Sequence, residues 1–156
     1  MPIRLSDMTI EEVLNLKGIR RYSKVRIDDR IVYMVHEPLD LSAQHLRRLP
    51  NLTDLVVGGS FNCSGNDIVS FRGCPREVGG DLICDRNPQL PNLYGLPGKV
   101  GGKIISDFGE FDSLTALRQA TPELLRADYR KPKPQVGLAA KLFAVIGLDQ
   151  KKLEDE

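Results

Sequence analysis

VGGSFNCSGN, residues 57–66, returns as VGGDLICDRN, residues 78–87, and this repetition decides the fold. A third Val-Gly-Gly begins 22 residues after the second, and 22 residues before the first the later positions persist without the glycines. A fixed period of about 20 to 50 residues is typical of solenoids, in which each unit packs on the next. Four sequence units therefore begin at Val35, Val57, Val78 and Val100.

Each unit places small or apolar side chains four and six residues after its valine. This alternation predicts a short strand with both side chains facing inward. Asn66 and Asn87 stand nine residues after the valine, where an amide can satisfy backbone groups at a turn out of the sheet. The paired glycines predict a tight corner where adjacent coils approach closely. The inward positions are Leu39, Leu41, Phe61, Cys63, Leu82, Cys84, Ile104 and Ser106.

The pattern apolar-x-apolar-x-x-Asn-x-apolar resembles the leucine-rich-repeat signature, whose periods run from about 20 to 29 residues. The longer form, Val-Gly-Gly-x-apolar-x-Cys-x-x-Asn, is similar to short repeats in proteins of bacteriophages and bacteria. The resemblance implies an α/β solenoid, a short leucine-rich-repeat-like stack of about four coils. It also implies that the outer face of the strands is the binding surface, as it is in leucine-rich-repeat proteins generally.

The sequence predicts a division into caps and coils, because a solenoid exposes apolar edges at both ends. Residues 1–34 are expected to form an N-terminal cap, with a helix over 9–17 and a hairpin of strands over 22–27 and 31–35. Residues 35–109 are the leucine-rich-repeat-like coils. Residues 110–130 are a helical C-terminal cap, in which Thr121 caps a second helix that ends near Asp128. Residues 131–135 are a linker, and 136–156 are a C-terminal helix with a charged tail.

The segment 136–148 (VGLAAKLFAVIGL) is predicted to be an apolar helix. A helix so apolar does not stay exposed to water. Two placements therefore remain open. Either the segment packs on its own solenoid, or it docks onto a partner or onto a second copy of the chain, which would give self-association.

Composition limits the classes of partner. The chain has 156 residues, with 22 Lys plus Arg against 21 Asp plus Glu, so the net charge of +1 disfavours a nucleic-acid or anionic-membrane binder. No apolar run approaches the roughly 20 residues of a membrane-spanning helix, and the N-terminus does not resemble a signal peptide. Three cysteines without a close pair favour a reducing, cytoplasmic compartment.

The sequence carries no motif for catalysis, and we expect no enzyme, no cofactor and no metal site. It has no phosphate loop, no His-Glu-x-x-His and no Gly-x-Ser-x-Gly. Cys63 and Cys84 stand at equivalent positions one unit apart, which suits either a metal or disulfide pair or a ladder of small core residues. The ladder is favoured because Leu41 holds the same position in the first unit.

The predicted partner-binding surface is the outward face of the strands. Neighbouring strands lie about 4.8 Å apart, so equivalent residues form rows from coil to coil. An acidic row of Asp81, Asp85 and Asp107 suggests a basic protein partner, in mimicry of nucleic-acid phosphates. Alternatively, the C-terminal segment covers the apolar members of this face. The predicted site residues are Asp40, Asn62, Ile83, Ile105, Asp85, Asp107, Arg86 and Phe108.

These observations favour a cytoplasmic, non-enzymatic protein-interaction module. The resemblance implies a phage or bacterial source and implies no activity. If the chain is phage-encoded, the interaction module is expected to bind and modulate a host protein in the host cytoplasm. The alternative is a small structural or virion-associated assembly component. A nucleic-acid binder is the weaker class, because paired arginines occur only at 20–21 and 47–48.

Overall fold

A computed structural model describes residues 4–130. Within this range the chain forms a β-solenoid of about three turns with two helices, so the predicted solenoid is confirmed. The helices are α1 (Ile10–Leu16) and α2 (Leu114–Ala120), one at each end, and the described coils between residues 35 and 109 contain no α-helix. The linker at 131–135 and the helix predicted at 136–148 lie outside the described residues, as does the charged tail.

Two sheets run the length of the solenoid, and each has four parallel strands and one antiparallel edge strand. The strands are β1 (Ser23–Ile27), β2 (Arg30–Val35), β3 (Leu39–Asp40), β4 (Leu55–Val57), β5 (Phe61–Asn62), β6 (Glu77–Val78), β7 (Leu82–Ile83), β8 (Lys99–Val100), β9 (Ile104–Ser106) and β10 (Gly109–Phe111). Sheet A has the order β1-β2-β4-β6-β8, and sheet B has the order β10-β9-β7-β5-β3. Each sequence unit therefore supplies one strand to each sheet, whereas the repeat pattern predicted a single strand per unit.

The number of turns follows from this arrangement. Sheets A and B each contain four parallel strands; each of the four in sheet A ends at a unit valine, and each of the four in sheet B begins four residues after one. Three return segments connect one level to the next, and the fourth unit continues into β10 and α2 instead of returning to sheet A. Four sequence units thus make about three turns.

The paired glycines form the corner between the two sheets. Val57 ends its sheet A strand, and Phe61 begins the sheet B strand four residues later. A Cβ atom on Gly58 would lie 2.9 Å from the carbonyl oxygen of Val35, and one on Gly59 would lie 2.7 Å from the backbone nitrogen of Pro38. Both contacts are too short for any side chain, so glycine is required there. The prediction of a tight corner with close approach of adjacent coils is confirmed.

The predicted role of the repeat asparagines is also confirmed. The Nδ2 atom of buried Asn66 donates to the carbonyl oxygens of Leu41 (2.9 Å) and Cys63 (3.1 Å). Its Oδ1 accepts from the backbone N–H groups of Gln44 (2.9 Å) and Leu46 (3.0 Å) in the preceding turn. Asn87 repeats the pattern one level further on. These amides satisfy the backbone where the chain leaves sheet B, so the turn can be buried.

The core lies between the two sheets and the return segments. In sheet A the four unit valines pair in register, and in sheet B the side chains at the predicted inward positions are buried, Ser106 being at the limit with 9% exposure. Ile68, Phe71, Leu90 and Leu93 close the core from the return side. Burial of each such side chain stabilises the fold by roughly 1.5 to 3 kcal/mol, so packing between levels is the main stabilising contribution.

The N-terminal cap is joined to the solenoid through Glu11. Thr9 and Glu12 form a capping box at the start of α1. The hydroxyl of Tyr33 donates to Glu11 at 2.8 Å, and that of Tyr22 does so at 3.2 Å, which ties α1 to the hairpin. Asp28 and Asp29 both have positive φ, as a two-residue hairpin turn of type I′ requires. Strand β1 therefore forms the antiparallel edge of sheet A.

The C-terminal cap is less helical than the sequence predicts. Ser113 accepts from the N–H of Ala116 at 3.0 Å and caps α2. The second helix predicted to reach Asp128 is a four-residue 3₁₀ helix, Pro122–Leu125, and Thr121 makes no side-chain cap bond. That part of the prediction is wrong, because the N–H of Leu93 bonds the carbonyl oxygen of Leu124 at 2.7 Å and draws the chain across the last turn.

Candidate protein-binding surface

The outward side chains of sheet B form one continuous row. Strand register places Asp40 beside Asn62, Asn62 beside Ile83, and Ile83 beside Ile105. Glu110 on the antiparallel strand β10 extends the row past Ile105. Asp40 is exposed, whereas Asn62, Ile83 and Ile105 are partly buried. Four of the sequence-predicted site residues thus lie in a line that is polar at its N-terminal end and apolar at its C-terminal end.

The polar end of the row is occupied by local hydrogen bonds. The Oδ1 atom of Asp40 accepts from the N–H of Ser42 at 2.8 Å, and the side-chain and backbone hydrogen bonds of Ser42 lower the pKa of Asp40. Asn62 likewise accepts from the N–H and the hydroxyl of Ser64, at 2.9 and 2.7 Å. These oxygens stabilise the chain where it leaves each strand, so they offer a partner fewer free acceptors.

The predicted acidic row is largely engaged with the backbone. Asp107 accepts from the N–H groups of Arg86 (2.7 Å) and Asn87 (2.8 Å), and Asp81 accepts from the N–H of Lys103 at 2.8 Å. Both carboxylates therefore connect adjacent levels. Within residues 4–130, Asp85 has no side-chain hydrogen bond or ion pair, so it is the member of the row that remains available.

Arg86 and Phe108 have structural contacts of their own. Arg86 has a left-handed backbone, with φ of 56°, and its guanidinium donates to the hydroxyl of Ser64 at 3.3 Å. The ring of Phe108 lies 6.3 Å from that of Tyr129 in an edge-on arrangement and packs against the core. The C-terminal cap therefore covers part of Phe108, while Arg86 stays exposed beside Asp85.

The part of this face that is neither hydrogen-bonded to the chain nor covered by the C-terminal cap is small. We call Ile83, Ile105 and Asp85 the isoleucine patch. Ile83 and Ile105 pair in register on adjacent strands, and Asp85 and Arg86 follow two and three residues after Ile83, where the chain leaves sheet B. This mixture of apolar area with a charged edge is typical of protein interfaces and not of a small-molecule pocket.

Comparison with known proteins gave no relative. The chain matches no protein-family model, no curated protein and no solved structure. The chemistry of the site therefore rests on the residues themselves.

The three cysteines are buried, with Cys63 and Cys84 at equivalent positions of adjacent levels and Cys74 on a return segment. Cys63, Cys74 and Cys84 are free thiols. Burial raises the pKa of Cys63 and of Cys74 to about 12 and holds that of Cys84 well above its ordinary value. A thiol with such a pKa is protonated at neutral pH and is a poor nucleophile. Among residues 4–130 no cluster of three His, Cys, Asp or Glu side chains is placed to hold a metal ion.

The return side of the solenoid carries a surface that the sequence reasoning missed. Asn51, Arg72 and Tyr94 each stand six residues before a unit valine, and all three are exposed. Their common position in the repeat could have predicted this row, but the repeat was analysed for its apolar positions only.

Neither described helix, each of seven residues, is long or apolar enough to cross a membrane.

Proposed function

We propose that this chain is a non-enzymatic protein-interaction module that binds a partner protein through the isoleucine patch. The observation that carries the proposal is the register of Ile83 and Ile105 on adjacent strands of sheet B. Asp85, whose carboxylate has no partner within residues 4–130, follows Ile83 by two residues. Apolar side chains held on a sheet lose little conformational entropy on binding, so a rigid patch of this kind suits recognition.

The chemistry of the patch indicates the kind of partner. Apolar contact at Ile83 and Ile105 with a basic group facing Asp85 would leave no buried charge unpaired. Mimicry of nucleic-acid phosphates has less support, because Asp81 and Asp107 accept backbone N–H groups of the chain itself. The partner is thus proposed to be a protein with an apolar surface and a basic margin.

The leucine-rich-repeat-like pattern supports the same face and suggests a setting. Its strand face is the binding face in that class of protein, and the similar short repeats belong to phages and bacteria. On this basis the chain is proposed to be a phage-encoded protein that acts on a host protein in the host cytoplasm. The proposal stands independently of this source, because the patch is defined by its own residues.

Affinity capture tests the proposal. The full chain is immobilised, and proteins retained from a lysate of the native host are identified by mass spectrometry. Ile83→Lys with Ile105→Lys should abolish capture of a specific protein, since central apolar contacts dominate binding energy. Val25→Lys, at an apolar residue that is 39% exposed on the hairpin, is the matched control and should leave capture unchanged.

Two outcomes count against the proposal. One is capture that is equally strong with the double variant, which would place the interface elsewhere. The other is a wild-type chain that retains no host protein but elutes as a defined oligomer in size-exclusion chromatography with light scattering. That second result would favour a structural or virion-associated component.

A further inference from the structure

A groove runs along the return side of the solenoid, on the face away from the isoleucine patch. Its two connected parts have volumes of about 530 and 820 Å³ and share Thr53, Ser70, Arg72 and Gly73. The groove starts at the 3₁₀ helix Leu5–Asp7 and ends at Gly98. It is far larger than the space between packed core side chains, so it has room for a chain segment.

The repeat itself builds the walls of this groove. Asn51, Arg72 and Tyr94 form one row from level to level. Thr53, Cys74 and Leu96, four residues before each unit valine, form a second. Toward its C-terminal end the lining becomes apolar, with the Tyr94 side chain 58% exposed and Leu96 partly buried. An exposed tyrosine beside apolar neighbours is a favourable contact for an apolar segment.

The groove also carries unpaired positive charge. Arg48 at its N-terminal end forms an ion pair with Asp7. Arg72 and Arg76 are exposed, and within residues 4–130 neither guanidinium has an ion pair or a side-chain hydrogen bond. A segment that binds here is therefore favoured if it combines apolar side chains with acidic ones.

The described chain ends close to this groove. The side chain of Asn92 donates to the carbonyl oxygens of Ala127 (3.2 Å) and Tyr129 (3.1 Å). The same Asn92 accepts from the N–H of Tyr94 at 3.0 Å, and Tyr94 is part of the groove wall. Asn92, which bonds the last residues of the described chain, thus lies only two residues before Tyr94 of the groove wall.

Part of the remaining sequence has the composition that the groove favours. Residues 136–148 contain one charged side chain, Lys141, among apolar and small residues, and the chain ends in Glu154-Asp155-Glu156, shortly after Lys151 and Lys152. The five residues 131–135 span at most about 18 Å, which is enough to pass over the last level of the solenoid. A tethered segment also has a high effective concentration at a nearby site, in the millimolar range for short linkers.

We propose that residues 136–148 of this chain dock into the return-side groove, with the acidic terminus placed against Arg72 and Arg76. The segment then buries its apolar side chains on Tyr94 and Leu96, and it covers the return side of the solenoid. The isoleucine patch on sheet B stays open to a partner. This inference does not rest on the proposed partner-binding function, since the groove and the patch share no residue.

Photo-crosslinking in the full-length chain tests the proposal. p-Benzoylphenylalanine replaces Phe143, and ¹⁴N-labelled and ¹⁵N-labelled chains are mixed before irradiation, so that mass spectrometry separates crosslinks within one chain from crosslinks between copies. The expected result is crosslinks within one chain that map to residues 69–76 and 94–98. Crosslinks between copies would assign the segment to a second copy, and crosslinks elsewhere or none at all would also overturn the proposal.

Charge reversal in the groove provides the second readout. Arg72→Glu with Arg76→Glu should lower the crosslink yield roughly threefold or more, because an exposed ion pair contributes a factor of up to about five and reversal adds repulsion. Arg118→Glu, on an exposed residue of α2, is the matched control and should leave the yield unchanged. Circular dichroism of each variant verifies that the solenoid is folded. An unchanged yield in the folded double variant would contradict the proposed position of the acidic terminus.

Discussion

The Nδ2 atom of Asn87 donates to the carbonyl oxygen of Cys63, one turn earlier in the solenoid, at 3.1 Å. The same atom donates to the carbonyl oxygen of Cys84 in its own turn at 3.0 Å. One buried amide thus fixes the separation of two levels at the point where the backbone leaves sheet B. Side-chain bonds of this kind extend the connection between levels beyond strands that are only two residues long.

Loss of the repeat asparagines should destabilise the fold in a definite order. Asn66 bonds two N–H groups of the preceding turn at 2.9 and 3.0 Å, whereas the corresponding bond of Asn87 to Ile68 is 3.4 Å long. Each buried backbone group left unpaired costs about 1 to 3 kcal/mol. Asn66→Ala should therefore lower the free energy of unfolding by about 3 kcal/mol or more, and Asn87→Ala by less. Urea unfolding followed by circular dichroism measures both. Gln44→Ala, at the exposed equivalent position, should change it by less than about 0.5 kcal/mol.

Alanine should destabilise the fold far more at Gly79, a corner glycine, than at Gly98. A Cβ on Gly79 would overlap the carbonyl oxygen of Gly58, which is backbone and cannot move aside. At Gly98 the nearest atom would be 3.9 Å away, so that site has room. We expect Gly79→Ala to lower the melting temperature by more than about 8 °C, corresponding to more than about 2 kcal/mol in a domain of this size. Equal melting temperatures for Gly79→Ala and Gly98→Ala would show that the levels are further apart than described.

Exchange of alanine and glycine at two equivalent positions with left-handed backbone should change the stability of the protein in opposite directions. Ala43 has φ of 52° and Gly65 has φ of 67°, eight residues after their unit valines. A side chain costs about 1 to 2 kcal/mol in this conformation, and glycine adds about 0.5 to 1 kcal/mol of chain entropy. Ala43→Gly should stabilise the protein by about 0.5 kcal/mol, and Gly65→Ala should destabilise it by a similar amount. Differential scanning calorimetry resolves the sign, and shifts in the same direction would contradict the shared geometry.

Removal of the Thr121 hydroxyl should stabilise the C-terminal cap. Its Oγ1 atom is buried and has no hydrogen-bond partner within residues 4–130. Thr121→Val keeps the shape and removes the unsatisfied oxygen, so the free energy of unfolding should rise by about 1 kcal/mol. Thr115→Val, on an exposed helix position, is the control for the change in residue type. Destabilisation by Thr121→Val would mean that the hydroxyl has a bonding partner in the folded protein.

The buried thiols should make stability fall at alkaline pH. Burial raises the pKa of Cys63 to about 12, above the ordinary value of 9.0. The unfolded chain therefore loses its thiol protons first, so this stabilisation is complete below about pH 8.5 and decreases as the pH rises toward 12. Each thiol contributes a slope of up to about 1.4 kcal/mol per pH unit. Urea unfolding under reducing conditions from pH 8 to 11 should show a flatter slope for Cys63→Ala than for the wild-type chain.

The repeat pattern predicted the features that recur at the same position of each unit and missed those that do not. Asn66 and the glycines at 58–59 were predicted from their spacing, because the same residue types return at the same positions of the next unit. Beyond the predicted hairpin of β1 and β2, sheet A was not predicted, because strands such as Glu77–Val78 and Lys99–Val100 are too short to show alternation. Their pairing comes from stacking of the units, which single-strand patterns do not encode.

The candidate site was predicted in outline for a similar reason. The row from Asp40 to Ile105 follows from the period alone and is present in the strand register. That Asp107 accepts backbone N–H groups of Arg86 and Asn87 depends on how the last level turns, which spacing does not reveal. Sequence reasoning therefore overestimated the free acidic charge on this face.

The antiparallel strands close the two sheets at opposite ends, β1 on sheet A and β10 on sheet B. In the described strands β1 pairs with β2 and β10 pairs with β9, so neither closing strand pairs with the interior unit. An in-frame tandem duplication of residues 57–77 would therefore lengthen the solenoid and leave both closing strands in place. Each such duplication would add one rung of about 4.8 Å to both sheets. The length of the solenoid can therefore change in whole turns, through gene duplication or through protein engineering.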